Sequence, residues 1–159
     1  MLIARPILFV FTIAAALAGC GEAPEAPAAK AAPVVKAIFI STNDCIAAKK
    51  IPQADCITAI DLALATHQQK ATTYSSLQQC TKVEGEDRCD KTVSGYGPRI
   101  QAFYVTLTTP PTAEPLYPLT QKDTIGFRSP TQKIVNAQDD TLIVSASALS
   151  LAHDNARLP

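Results

Sequence analysis

Residues 39–45 read FISTNDC, and residues 74–80 read YSSLQQC. Each stretch begins with an aromatic residue, continues through polar residues that favour a helix start, and ends at a cysteine. A second cysteine follows each stretch, Cys56 after the first and Cys89 after the second. The chain therefore contains one weakly repeated unit, which consists of a helix start, a cysteine, a loop and a closing cysteine.

Each unit predicts a short helix. Ser41 and the two residues after it are good N-caps for a helix near residues 43–50. Ser75 and Ser76 are likewise good N-caps for a second helix near residues 76–83. Gly85 follows that second helix and suits the position at which helices often adopt a left-handed conformation.

A longer helix is predicted between the two units, from Pro52 to about Lys70. Proline is favoured at the first helical position because its missing N–H has no intrahelical partner there. The predicted buried face of this helix consists of Ile57, Ile60, Leu64 and His67, with Ala63 widening it. This face is expected to pack on the two short helices and on disulfides.

The pattern after Cys89 changes from helical to β. Residues 95–98 read GYGP, which predicts a turn. The predicted strands or extended segments are residues 99–108, 115–118, 124–128, 133–135 and 141–145, with turns at 129–130 and 139–140. The tail of residues 146–155 fits either a helical turn or loose chain.

The sequence therefore predicts an α+β fold. Its N-terminal half is a small, helical and disulfide-stapled unit, and its C-terminal half consists of short antiparallel β-strands.

The N-terminal residues predict export. Arg5 precedes an apolar run that ends in the sequence LAGC, residues 17–20, as a secretory signal does. This ending resembles the lipobox of bacterial lipoproteins, in which the cysteine is lipidated and becomes the first residue. The resemblance implies a signal peptide at residues 1–19 and lipidation at Cys20. An uncleaved membrane anchor and an ordinary signal peptide with a free Cys20 are the alternatives.

The next residues predict a spacer. Residues 20–35 hold the expected lipidated cysteine followed by an alanine- and proline-rich stretch, which predicts a disordered tether. The remainder, residues 36–159, is predicted to be a single small domain, with two sub-domains that share a core as the alternative. Gly21 occupies the position where an aspartate retains lipoproteins of the enterobacterial type in the inner membrane. By that resemblance the destination is the bacterial outer membrane, with the protein facing the periplasm.

Four cysteines remain once Cys20 is set aside. An even number of cysteines in an exported protein favours disulfides, and Cys45, Cys56, Cys80 and Cys89 allow three pairings. Local pairing within each unit is the preferred hypothesis, and crossed pairing between the units stays open. The spacing lacks the close cysteine pairs that zinc sites use, so no metal site is predicted. A redox C-x-x-C motif is also absent from the sequence.

Composition excludes one class of partner. The full chain has 14 Lys and Arg and 14 Asp and Glu, and loss of Arg5 with the signal leaves 13 against 14. A net charge of −1 gives no general attraction to nucleic acid. The predicted partners are the lipid bilayer, through lipidated Cys20, and an envelope protein.

The same residues resemble a known family. The similarity lies in residues 43–45, Cys56, Ala59, Ala63, the segment from Tyr74 through Cys80 and Gly85 to Cys89, and the runs 115–117 and 126–128. Together they resemble the YgiB/YjfM-like family of bacterial lipoproteins of unknown function over roughly residues 38–146. Relatives are often encoded beside an amide ligase of the ATP-grasp type, which implies a link to envelope or polyamine biology. Residues 98–112 depart from the family because they lack its stretch rich in Met and Gly.

No residue forms a recognisable catalytic motif, and no cofactor site is predicted. His67 is expected to be a packed, hydrogen-bonded histidine, and His153 an exposed one. Residues 84–87 and Asp90 are expected to form a solvated acidic loop, because they do not match a calcium-binding loop. The segment 139–140 is interpreted as a hairpin turn.

Three aromatic residues, Tyr104, Tyr117 and Phe127, are predicted to form the core of the β half. Exposed instead, they would make a flat aromatic patch for a partner protein. The leading functional hypothesis is a non-enzymatic lipoprotein of the outer membrane that binds an envelope partner or has a structural role. The alternative is an envelope enzyme or small-ligand binder linked to peptidoglycan or amide metabolism, which a convergent polar pocket around His67 would favour.

Overall fold

The computed structural model describes residues 34–119 and 121–157. Its elements are β1 (Lys36–Phe39), α1 (Thr42–Ala47), α2 (Gln53–Lys70), α3 (Leu77–Glu84), β2 (Cys89–Thr92), β3 (Gly95–Pro98), β4 (Ala102–Thr106), β5 (Thr112–Pro118), β6 (Gly126–Arg128), β7 (Ile134–Asn136), β8 (Ile143–Val144) and α4 (Ala146–Arg157). The predicted α+β class is confirmed. The predicted boundary between signal peptide and tether, after residue 19, lies outside the described residues.

The main sheet has six strands in the order β7-β6-β5-β4-β1-β8, and β2 and β3 form a separate hairpin. All neighbours in the main sheet are antiparallel except β1 and β8, which pair in parallel. The first strand, β1, thus lies inside the sheet although it precedes the helical unit. The sequence analysis did not predict this strand.

Two apolar clusters cover the two faces of the main sheet. Along β1, Ala37 and Phe39 belong to one cluster and Ile38 to the other, as the alternation of side chains in a strand requires. The α2 residues Ala59 and Ala63 belong to the Phe39 cluster, whereas the α4 residues in Ile38's cluster are Ala148 and Ala152. The domain therefore has helices on both faces of the sheet.

The predicted buried face of α2 is wrong for two of its residues. Ile57 and Leu64 are 40% and 39% exposed, whereas Ile60 is buried. The residues buried on α2 are Cys56, Ala59, Ile60 and Ala63. The helix is therefore rotated so that Ala59 and Ala63 belong to the apolar cluster, and Ile57 and Leu64 are exposed.

The helix starts form as predicted. The Ser41 hydroxyl accepts a hydrogen bond from the Asp44 N–H at 3.1 Å, and the Ser76 hydroxyl accepts one from the Gln79 N–H at 3.2 Å. Gly85 ends α3 with φ +104°, a conformation that glycine adopts without strain. Pro52 is the N-cap of α2 rather than its first residue.

The C-terminal tail, left open between helix and loose chain, is the helix α4. Its start is tied to the start of α1, because the carboxylate of Asp44 accepts hydrogen bonds from the Ile40 N–H at 2.9 Å and from the Ser145 hydroxyl. Ser145 in turn caps α4 by accepting from the Ala148 N–H at 3.1 Å. One carboxylate thereby joins segments 101 residues apart in sequence.

The two cysteine units close locally. Cys45 pairs with Cys56 and joins α1 to α2, and Cys80 pairs with Cys89 and joins α3 to β2. This is the local pairing out of the three that the sequence allowed. Each small loop gains about 2–3 kcal/mol from restriction of the unfolded chain.

The turn predicted at residues 95–98 is wrong. These residues form β3, and the turn lies at Val93 and Ser94. Gly95 is required there because its φ is +147° and a Cβ would lie 2.3 Å from the Tyr74 carbonyl oxygen. Tyr74 forms a bridge with Tyr96, so the chain leaving α2 lies against the hairpin.

The last predicted strands also need a correction. β6 and β7 form the expected hairpin around residues 129–130, but β8 does not pair with β7 across residues 139–140. It crosses to the other edge of the sheet and pairs with β1. Sequence patterns of two or three residues carry no information on which edge a strand joins.

Candidate functional site

His67 lies in the last turn of α2 and faces β5. Its Nδ1 atom lies 2.9 Å from the hydroxyl oxygen of Tyr117, and the two ring centroids are 5.7 Å apart. The sequence-based expectation of a packed, hydrogen-bonded histidine therefore matches the geometry. His153, in α4, is partly buried rather than exposed.

The hydroxyl of Tyr117 determines which ring nitrogen of His67 carries the proton. His67 is the only hydrogen-bond partner of that hydroxyl within the described residues. A phenol proton in a buried setting needs an acceptor, so the hydroxyl donates to Nδ1. Neutral His67 then carries its proton on Nε2, which is the nitrogen left for a ligand.

Burial shifts the pKa values of both groups toward their neutral forms. It lowers the pKa of His67, and the negative charge of Asp90 opposes this effect. It also raises the pKa of Tyr117 to about 12, against the effect of the nearby Arg128 cation. Around neutral pH the pair is therefore an uncharged phenol donating to an uncharged imidazole.

A buried ion pair lies behind Tyr117. The guanidinium of Arg128, on β6, lies over the Tyr117 ring at 5.4 Å from its centroid. Its Nη2 atom donates to the carboxylate of Glu84 at the end of α3. Glu84 also accepts a hydrogen bond of 2.7 Å from the Tyr74 hydroxyl. Burial, together with this bond to Glu84, raises the pKa of Tyr74 to about 12.

This ion pair corrects the sequence analysis. Glu84 is only 5% exposed, so it is not part of a solvated acidic loop, although Glu86, Asp87 and Asp90 are exposed as expected. A buried charge is tolerated only with a partner and further hydrogen bonds, which Arg128 and Tyr74 supply. The pair joins α3 to the sheet behind His67.

A cleft of about 390 Å³ opens in front of His67, between the C-terminal end of α2 and the β2–β3 hairpin. Its lining residues are His67, Gln68, Ala71, Thr73, Asp90, Lys91, Thr92, Val93 and Ser94. Binding sites for small molecules span about 300–1,000 Å³, so this cleft fits a small ligand. It combines hydroxyl, amide, imidazole and ammonium groups from three separate segments.

The hairpin wall of the cleft is held by the second disulfide. Cys89 begins β2, directly before Asp90 and Lys91, and its bond to Cys80 fixes that end of the strand to α3. The Asp90 carboxylate accepts from Arg99 Nε at 2.8 Å, in an exposed ion pair. The second cysteine unit therefore frames the cleft, whereas the first lies in the core.

A second groove, also about 390 Å³, crosses the sheet on the face that α4 leaves open. Tyr104 lies in it, together with Lys36, Glu114 and Lys133. Its charges alternate in sign and come mostly from exposed side chains. Tyr104 is one of the three aromatic residues that the sequence predicts in the core of the β half, and it is only partly buried. The other two, Tyr117 and Phe127, are buried in the core.

Some predicted sites cannot be compared with the geometry. Cys20, the expected lipidation site, lies outside the described residues, as do residues 1–33 as a whole. Within residues 34–119 and 121–157, no group of three or more His, Cys, Asp or Glu side chains is placed to hold a metal ion. None of the helices in this part of the chain combines the length and apolar character that a membrane span requires.

The comparison with protein families identifies the chain. A model described as "Protein of unknown function (DUF1190)" matches residues 34–131, more than half of the chain. The chain belongs to the DUF1190 family. Neither the comparison with curated proteins nor the comparison with solved structures finds a match.

The DUF1190 match covers the candidate site in full. It runs from the residues just before β1 to Thr131, so it includes both disulfides, the Glu84–Arg128 pair and every residue that lines the cleft. Strands β7 and β8 and helix α4 follow the matched range. The cleft is therefore a feature of the DUF1190 part of the chain.

Sequence reasoning singled out His67, Tyr117, Glu84 and Asp90 of this site, but it assigned Tyr117 to the core and the two acidic residues to a solvated loop. His67 was a candidate, whereas the roles of Arg128, Lys91 and Thr92 were not predicted. Arg128 lay within a run that carried the family resemblance, and that was the one available signal. The cleft residues are ordinary polar residues of a turn and a strand, and only the fold brings them to α2.

Proposed function

We propose that this DUF1190 protein is a non-enzymatic binding protein of the bacterial outer membrane, anchored by lipidated Cys20 and facing the periplasm. The LAGC sequence at residues 17–20 and the resemblance to YgiB/YjfM-like lipoproteins support the anchor. The two disulfides support an oxidising compartment, because such bonds persist after export and are rare in the cytosol. Residues 20–35 serve as the tether.

The observation that carries the binding role is the polar cleft at His67. The hypothesis of a broad protein interface depended on an exposed aromatic patch, but Tyr117 and Phe127 are buried. The cleft instead offers converging hydrogen-bonding groups in a space suited to a small ligand. The geometry therefore favours the small-ligand binder, which was the alternative hypothesis from the sequence, over the leading hypothesis of partner binding or a structural role.

One observation supports a second candidate, a protein partner at the rim of the cleft. Val93 is fully exposed at the tip of the hairpin, and Leu64 lies on α2 one turn before the cleft residue Gln68. A partner that covers both residues would also close the cleft.

Native mass spectrometry of the protein extracted from cell envelopes tests the binding role. We expect an adduct of small mass that is lost in Ser94→Trp, which fills the cleft, and kept in Gln138→Trp, an exposed position outside it. An adduct that survives Ser94→Trp would contradict the cleft as the site. No adduct, combined with protein crosslinks from a photoreactive residue at position 93, would favour the second candidate.

The anchor has its own test. Cys20→Ala should abolish incorporation of radiolabelled palmitate and release the protein from the outer-membrane fraction. Continued labelling of Cys20→Ala would contradict the anchor without affecting the binding role.

A further inference from the structure

The cleft at His67 is rich in hydrogen-bond donors. His67 offers Nε2–H, because Tyr117 occupies Nδ1. Lys91, on β2, carries an ammonium group and is exposed at the cleft wall. The hydroxyl group of Ser94 adds a further donor, whereas that of Thr73 donates to the Ala71 carbonyl oxygen at 3.5 Å. A ligand that satisfies these groups needs several acceptor lone pairs close together, as a carboxylate has.

The charge balance of the cleft also favours an anion of low charge. Asp90 is the one acidic residue in the lining, and its carboxylate forms an exposed ion pair with Arg99 at 2.8 Å. With His67 neutral and with Arg99 counted as the partner of Asp90, although it is not in the lining, Lys91, Asp90 and Arg99 together carry a net charge of +1. A single carboxylate matches this charge.

Thr92 adds an unsatisfied group beside the same wall. Its hydroxyl oxygen is buried and has no hydrogen-bond partner among the described residues. Leaving a buried hydroxyl unpaired is unfavourable, so a small movement of the hairpin tip that pairs this hydroxyl would be stabilising.

The opposite wall of the cleft, at the end of α2, favours a hydrogen-bond donor on the ligand. Gln68 and Ala71 come from the C-terminal end of α2, where the last carbonyl groups of a helix lack intrahelical partners and carry partial negative charge. This end repels a dianion such as phosphate and favours an N–H donor. The two walls together suit a carboxylate with an amide N–H a short distance away.

We propose that the His67 cleft binds the free carboxylate of an N-acylated amino acid or short peptide. Lys91 and the Nε2–H of His67 contact the carboxylate, and the carbonyl groups at the end of α2 accept the amide N–H of the ligand. This inference rests on the proposed binding function and names its ligand class. The cavity volume of about 390 Å³ has room for a small dipeptide and is too small for a folded partner.

Isothermal titration calorimetry with the full mature protein in detergent tests the proposal. The probe is N-acetyl-alanyl-alanine, and its C-terminal amide and inorganic phosphate are the control ligands. We expect binding of the free acid, binding at least tenfold weaker for the amide, and no competition by equimolar phosphate. Lys91→Gln and His67→Gln should each weaken binding of the acid at least tenfold, whereas Lys82→Gln, on the exposed side of α3, should not change it.

The possible results distinguish a wrong ligand assignment from a wrong binding function. Equal binding of acid and amide, or displacement of the acid by phosphate, would overturn the carboxylate assignment. Unchanged affinity in Lys91→Gln and His67→Gln would overturn the assigned contacts. No binding of the acid by a protein that still carries the cleft-dependent adduct would overturn the ligand class and leave the binding function standing.

Discussion

The two cysteine units begin alike in sequence and end in different surroundings. Cys45 and Cys56 lie fully buried in an apolar cluster with Phe39, Ala59 and Ala63. Around the bond between Cys80 and Cys89, by contrast, the chain carries Glu84, Arg88 and Asp90, all of which make polar contacts. The first unit stabilises a core, and the second holds a buried ion pair and one wall of a cleft.

The difference shows that disulfides that close loops of similar size, with separations of 11 and 9 residues, can have different structural roles. In the first unit the bond adds to packing that apolar residues already provide. In the second, the bond offsets the cost of burying Glu84 and Arg128 in a small domain, since a buried ion pair contributes little net stability by itself. Breaking the two units should therefore have consequences of different kinds.

The largest effect on stability is expected from removing one partner of the buried Glu84–Arg128 ion pair. Arg128→Met should lower the free energy of unfolding by about 3–5 kcal/mol, because it leaves the Glu84 carboxylate buried without its partner. Chemical denaturation monitored by circular dichroism measures this. The double variant Glu84→Gln/Arg128→Met should recover most of the loss. Arg99→Met, which breaks the exposed pair with Asp90, should cost about 1 kcal/mol or less, and an equal loss in both single variants would contradict the account.

The next largest effect is expected from removing either disulfide, and its effect on binding distinguishes the two. Cys45→Ala/Cys56→Ala and Cys80→Ala/Cys89→Ala should each lower the free energy of unfolding by about 2–3 kcal/mol. Only the second pair should also weaken binding in the cleft, at least tenfold, because β2 loses its link to α3. Calorimetric titration of both variants with N-acetyl-alanyl-alanine checks this. Equal weakening in both would show that the first unit supports the cleft as well.

A smaller effect is expected from the hydroxyl that orients His67. Tyr117→Phe should lower the free energy of unfolding by about 1 kcal/mol, because His67 Nδ1 loses its donor. Tyr104→Phe is the control, since its hydroxyl has no hydrogen-bond partner among the described residues, and should change stability by about 0.5 kcal/mol or less. Thermal unfolding of both variants makes the comparison. A loss of stability in Tyr104→Phe as large as in Tyr117→Phe would contradict a stabilising role for the His67–Tyr117 hydrogen bond.

The smallest effect is a dependence on pH. Burial lowers the pKa of His67 in the folded protein below 6.5, so the unfolded chain binds the proton more readily. The resulting stabilisation is fully present above pH 6.5 and is lost as the pH falls through the folded pKa. Denaturation midpoints between pH 7.5 and pH 5 should therefore fall, and fall less in His67→Gln than in the His153→Gln control. Identical profiles in the two variants would contradict a neutral, buried His67.

Much of the local structure could be predicted from the sequence because short-range chemistry determines it. Ser41 and Ser76 cap their helices, and Gly85 ends α3, since each acts on residues no more than four positions away. The sequence did not determine which face of α2 is buried. Ile57 and Leu64 fit a helical period as well as the true contact residues, and only packing against the sheet distinguishes them.

Most of the candidate site depended on long-range contacts. Glu84 and Arg128 are 44 residues apart, and His67 and Tyr117 are 50 apart. Neither pair leaves a local pattern in the sequence. β1 was missed for a related reason, because its four residues become a central strand only when β4 and β8 pair with both of its edges.

One measurement tests most directly whether the second cysteine unit frames a binding site. It is a titration of the ¹⁵N-labelled protein with N-acetyl-alanyl-alanine, followed by amide chemical shifts. The account predicts shifts concentrated in residues 67–73 and 90–95 of the native protein, and much smaller shifts in Cys80→Ala/Cys89→Ala at the same ligand concentration. Shifts centred on the second groove, at residues 131–136, or an unchanged pattern in the variant, would contradict it.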